Sequence, residues 1–230
     1  MKAVIHQPQY FPYPGFFKKV LEADVFVLMD NTQYDKRFTN RNKIVKPDGF
    51  LWISVPINKS HKFSLNKDVA INNDIHWQKD HWQKIFHSYN KSKFFQKYKD
   101  DLKQIFEKKW EYLLELDMFT MKKTFEWLGI KIDIIKETEL NINGNETEKL
   151  INICKAVGAD SYISGRGLVN KPYLQEELFE KNKIQLIKQE YSSIIYEQNL
   201  TNNFIPDLSI IDALCNVGPN TLEVLMKHNN

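Results

Sequence analysis

The chain has 230 residues, 42% of them hydrophobic and 27% charged, with eight glycines and eight prolines. That balance supplies a core for one or two domains and excludes disordered, collagen-like and mucin-like classes. A formal net charge of +3 is too mild for a typical nucleic-acid binder, and no apolar run approaches the ~20 residues of a membrane span.

Residues 3–6 form a short apolar run that predicts a strand, and the segment Met1–His6 turns polar too soon for a signal peptide. Pro8, Pro12 and Pro14 keep helix and central strand out of the loop that follows. Phe16, Phe17, Val20 and Leu21 then recur at helical spacing. Val25–Met29 is a continuous apolar run ending at Asp30, the pattern of a strand buried on both faces. Strand, loop, short helix and strand make a βαβ opening. After a polar stretch at 31–48, residues 50–57 read as the next strand and 58–74 as a loop rich in Asn and Lys.

Residues 75–128 are helical in character, a bundle of two or three helices that stops at Gly129. A strand follows at 130–135, then a helix opened by a capping box of Asn145 and Glu148. A strand at 161–163 breaks at Ser164, Gly165, Arg166 and Gly167; a helix at 174–180, a strand at 184–187 and a closing helix within 208–227 complete the chain. Alternation of this kind predicts an α/β fold with a mostly parallel, Rossmann-like sheet. The whole chain, 1–230, is expected to form one domain, with 75–128 as a helical insertion. Cys154 and Cys215 lie far apart in apolar surroundings and read as buried thiols of a reducing compartment, which predicts a cytoplasmic protein.

Ligands of open parallel sheets bind at the carboxyl ends of the strands. Three such ends carry polar residues: His6 with Gln7, Asp30 with Gln33, and Ser164 with Gly165 and Arg166. His6 is either an acid–base group or a hydrogen-bonded core histidine. Asp30 is a candidate to orient a histidine, bind an amine or hold a metal ion, or else it caps the following turn. The loop Tyr10–Tyr13 offers flat faces to a ring, or packs as core. Only three of the 32 basic residues are arginines, namely Arg37, Arg41 and Arg166. In so lysine-rich a chain they are candidates for clamping phosphate or carboxylate, Arg37 and Arg41 beside Asn42. His76, His81 and His87 are spaced by five and six residues, which misses the step that puts ligands on one helix face, so no metal site is expected. His81 is a second candidate base.

The segments His6–Phe17, Ala23–Tyr34 and Asn40–Ile44 resemble the opening of the WbqC-like protein family. Trp52–Pro56, His81 with Trp82, Tyr162–Gly165 and Leu208–Gly218 agree with it, so the resemblance spans nearly the whole chain. Tyr13 and Pro14 stand where the family more often has a tryptophan. The resemblance implies an enzyme of bacterial surface-polysaccharide or glycan biosynthesis that decorates a nucleotide-linked amino sugar. A fainter similarity, to the layout of HIGH-type nucleotidyltransferases, meets Phe16 where a second signature histidine is expected.

Together these expectations describe an acyl- or aminoacyltransferase acting on the amine of a nucleotide-linked sugar, with a small acyl or amino-acid donor. His6 is the expected base, His81 the second, and Asp30 and Gln33 orient the sugar. Arg37, Arg41 and Arg166 meet diphosphate or carboxylate, and Ser164 and Gly165 donate to an oxyanion. Gln7, Tyr10, Tyr13, Asn42, Asp212 and Asn216 complete the substrate-binding set. No cofactor is assigned; ATP enters only under the alternative of an adenylate-forming amide ligase. A non-catalytic nucleotide-sugar-binding module is the remaining alternative, and no nucleic-acid partner is expected.

Overall fold

A five-stranded parallel sheet organises the chain in the computed structural model, which describes residues 1–61, 63–165 and 174–227. Its strands are β1 (Lys2–His6), β2 (Val25–Leu28), β5 (Asp133–Lys136), β6 (Ser161–Ser164) and β7 (Gln185–Lys188). They lie side by side in the order β5-β2-β1-β6-β7, every pair parallel. All four residues of β2 are buried, as a strand covered on both faces requires. The two faces divide the core with a period of two. Val4, Phe26 and Leu28 point into one cluster, while Ala3, Ile5, Val25 and Val27 point into the other.

The second cluster is closed by α5 (Glu146–Ala156) and α6 (Glu176–Lys181), through Leu150, Ile151, Cys154 and Phe179. The first takes in α1 (Pro14–Leu21), α2 (Trp77–Tyr89), α3 (Phe95–Glu107) and α4 (Leu113–Leu128). Each presents buried residues at helical spacing, such as Tyr98, Leu102, Ile105 and Phe106 on α3. Gly129 ends α4 in the left-handed region at φ 71°. No helix among the described residues is long and apolar enough to cross a membrane. The α/β alternation and Rossmann-like sheet expected from the sequence are present. Cys154 and Cys215 are buried and unbridged.

Three local expectations change. Residues 49–54 do not join the parallel sheet: β4 (Gly49–Ser54) pairs antiparallel with β3 (Arg41–Lys46) as a separate hairpin. Its two-residue turn is Pro47 and Asp48, with Asp48 at φ 57°; Pro presets the first corner and Asp tolerates the left-handed second. Asn145 does precede α5, but its side chain makes no capping bond. The closing helix is two, α7 (Ile210–Val217) and α8 (Thr221–Lys227). Gly218 breaks it at φ 71°, with Phe94 so close that a Cβ would lie 2.3 Å from its ring.

Candidate functional site

The order of the strands fixes the switch point of the sheet. From β1 the sheet grows one way through β2 to β5, then returns across β1 to grow the other way through β6 and β7. The reversal falls between β1 and β6, and an open α/β sheet parts its connections there to leave a crevice at the carboxyl ends. Those ends carry His6 and Gln7 on one side, Ser164 and Gly165 on the other.

Lys19 of α1 reaches this point. It is only 2% exposed, and its Nζ lies 3.3 Å from where a Cβ on Gly165 would sit. Any side chain there would crowd the amine. Among the described residues no carboxylate forms a salt bridge with Lys19, and burial lowers its pKa from 10.5 to about 7. At neutral pH this amine therefore divides between its two protonation states. Lys18, next in the helix, is also buried, and its Nζ stands 5.6 Å over the Tyr191 ring.

His6 is held neutral beside it. Burial, and then the nearby Lys19 charge, lower its pKa to about 3. Its Nδ1 lies 2.9 Å from the Gln7 carbonyl oxygen. A carbonyl only accepts, so Nδ1 carries the proton and Nε2 the lone pair. The edge of Phe16 packs on the imidazole at 5.3 Å between ring centroids.

The loop from Gln7 to Gly15 is pinned from several elements. Phe11 sits in the left-handed region at φ 44°, and its carbonyl accepts from Asn42 Nδ2 at 2.7 Å and Ser209 Oγ at 3.1 Å. Gln189, just past β7, donates from Nε2 to the Gly15 carbonyl at 2.8 Å. Tyr10 and Phe11 are wholly buried, so of the expected stacking residues only Tyr13 reaches the surface. His81 is 1% exposed, and its Nδ1 is 3.0 Å from the Tyr10 hydroxyl. Burial lowers its pKa to about 4. The structure thus places His81 and Asn42 inside the core as fasteners of this loop, away from the crevice.

Asp30 is also brought elsewhere. It is 2% exposed; Oδ1 accepts from the Thr138 amide at 3.0 Å and Oδ2 from its hydroxyl at 2.6 Å. The carboxylate therefore faces the end of β5, on the far side of β2 from His6, and caps the turn after β5. Gln33 is exposed and bridges to Leu65. Arg37 pairs with Asp35. Ser164 turns its hydroxyl to the Ile187 carbonyl at 3.3 Å, away from any oxyanion position in the crevice. Asp212 is fully buried and accepts from Tyr196 and Gln198 at 2.8 and 3.0 Å, while Asn216 donates back to the Asp212 carbonyl. These two hold the segment around 196–199 and do not face the crevice. Arg166 lies outside the described residues.

Two surface hollows, of about 670 and 490 Å³, lie elsewhere. The larger is lined by Asp24, Asp133 and neighbours at the amino ends of β2 and β5, the edge of a parallel sheet that does not carry ligands. No cluster of three or more His, Cys, Asp or Glu suited to a metal occurs among the described residues. Lys19 is not among the site residues expected from the sequence. The signal was present, since Lys19 falls three residues after Phe16 and beside Val20, on the stripe that must face the core.

A five-stranded parallel sheet with helices packed on both faces and its switch point between β1 and β6 defines an α/β protein of Rossmann-like layout. The chain belongs to the WbqC-like protein family, whose model matches residues 7–224. It is similar to the uncharacterized protein Rv1507c of Mycobacterium tuberculosis, 29% identical over 219 residues that cover 94% of each chain. No solved structure matches it.

Proposed function

We propose that this protein is a transferase of bacterial surface-polysaccharide biosynthesis that moves an acyl or aminoacyl group onto the amine of a nucleotide-linked amino sugar. Lys19 carries the reading: a buried amine with no acid paired to it among the described residues, poised near neutrality at the switch point. An attacking amine must shed a proton, and a base works best when its pKa lies near the working pH. Lys19 meets that condition. His6 binds protons too weakly to serve as the base the sequence suggested, and instead offers Nε2 as an acceptor that orients the incoming N–H.

The sugar's nitrogen forms a bond to the acyl carbon of an activated donor. The bond from that carbon to the leaving group breaks, and the leaving group takes the electron pair. Neutral Lys19 accepts the proton released from nitrogen. In its charged form it neutralises an anion brought in with either substrate. The ATP-dependent alternative loses support at Phe16, which is buried against His6 where a phosphate-binding histidine would stand.

The test is amide formation, read by mass spectrometry, from a panel of nucleotide-linked amino sugars and activated acyl and aminoacyl donors. Lys19→Arg keeps the charge but cannot give up its proton, so kcat should fall by roughly 10²-fold or more with KM little changed. Tight binding of the sugar nucleotide without turnover, or a Lys19→Arg protein with wild-type kcat, overturns the reading.

A further inference from the structure

The hairpin β3–β4 alternates except at Val45, which by register shares the face of Arg41 and Lys43 yet is fully buried. Asn42, Ile44 and Ile53 turn inward and are fully buried, while Arg41, Lys43, Phe50 and Trp52 share the outer face. The solvent face of an antiparallel pair is ordinarily polar, yet two large aromatics stand beside Arg41, Lys43 and Ser54 on this one, and Phe50 is 41% exposed. Phe38 adjoins Trp52 at 6.3 Å between ring centroids and stacks on Tyr13 at 6.1 Å. Tyr13 in turn meets Tyr191 edge-on at 5.8 Å, and Lys18 stands over Tyr191. A continuous aromatic track therefore runs from the hairpin to the first turn of α1, the helix that carries Lys19.

Cations border the track. The Arg41 guanidinium lies 4.3 Å from the Trp52 ring centre, and Lys43 Nζ lies 5.1 Å from that of Phe50. Among the described residues neither cation forms a salt bridge, and Arg41 uses only Nε, to the Arg37 carbonyl at 3.2 Å. Flat rings call for a planar partner, and unpaired cations beside them call for an anion. A nucleotide supplies both in one molecule.

We propose that this face is a nucleotide-binding surface. The base lies against Phe38 and Trp52, and the phosphates meet Arg41 on the way to the crevice at Lys19. The assignment deepens the transferase reading, since it places the nucleotide of the sugar-linked substrate, but its test needs no turnover.

The probes are uridine, thymidine, adenosine and guanosine diphosphates, inorganic pyrophosphate and a short single-stranded oligonucleotide, titrated by calorimetry and tryptophan fluorescence. At least one diphosphate should bind and quench Trp52. Trp52→Leu and, separately, Phe38→Leu should each weaken it roughly tenfold or more and leave pyrophosphate unaffected, whereas Arg41→Gln should weaken both. Unchanged melting temperatures identify variants that fold, and two aromatic variants guard against one that does not. Diphosphate binding indifferent to both aromatic substitutions overturns the proposal, even if amide transfer is observed. Tighter, salt-sensitive oligonucleotide binding also overturns it, in favour of a nucleic-acid surface. Aromatic-dependent diphosphate binding without any amide product upholds it and removes the transferase reading alone.

Discussion

Replacing Lys19 by Met should make the protein more stable and inactive at once. Met keeps most of the aliphatic stem but brings no charge into the crevice. A pKa lowered from 10.5 to about 7 means that the ammonium is bound less favourably folded than unfolded. At about 1.4 kcal/mol for each pKa unit, the cost of holding it charged is roughly 4 to 5 kcal/mol. The folded pKa is the lower one, so the cost is full below pH 7, declines as pH rises from 7 to 10.5, and vanishes above. Met recovers part of it, since the new side chain is not shaped for the site. A gain of about 2 kcal/mol near pH 7 raises the melting temperature by roughly 4–8 °C in a chain of this size. Thermal unfolding of both proteins from pH 6 to 10 measures this, and the advantage of Lys19→Met should shrink steadily above pH 7. Taking the difference between the two proteins cancels the tyrosines that titrate in the same range. A variant less stable by the same amount at every pH refutes the argument, because Lys19 would then be a well-satisfied cation.

Other substitutions test neighbouring parts of the argument. Gly165→Ala puts a Cβ 3.3 Å from Lys19 Nζ, the mobile end of a long side chain. Melting should hardly change, while kcat/KM for amide formation falls at least tenfold. Asn42→Ala takes the 2.7 Å donor from the Phe11 carbonyl and leaves Ser209 Oγ as its partner, and should cost about 0.5–1.5 kcal/mol in denaturant unfolding. His81, with its pKa lowered to about 4, contributes stability that is present above pH 6.5 and lost as pH falls toward 4. In His81→Phe the acid limb of the stability curve should flatten over that window, whatever the absolute cost of leaving the Tyr10 hydroxyl unpaired.

Much of the fold was legible because it follows from local periodicity. Apolar runs marked β1 and β2, three- and four-residue spacing marked α2 to α4, and Gly129 marked a helix end that any chain of this composition would respect. The hairpin strand β3 escaped because an amide, Asn42, takes one of its inward positions and makes the segment read as polar. Its inward turn depends on the Phe11 carbonyl, which is distant in sequence. Asp30 and His81 were visible as polar residues in apolar settings, but their partners, Thr138 and Tyr10, lie 108 and 71 residues away. Nothing local distinguishes a fastening group from a reacting one. Along the chain alone, the residues determined most of the strands and helices and the family they belong to, since these rest on patterns a few residues wide. Only the tertiary structure decided which strand ends meet, and with them that Lys19 is shut away beside His6 and Gly165. A pKa is set by every group packed around the amine, and the strand order chooses those groups.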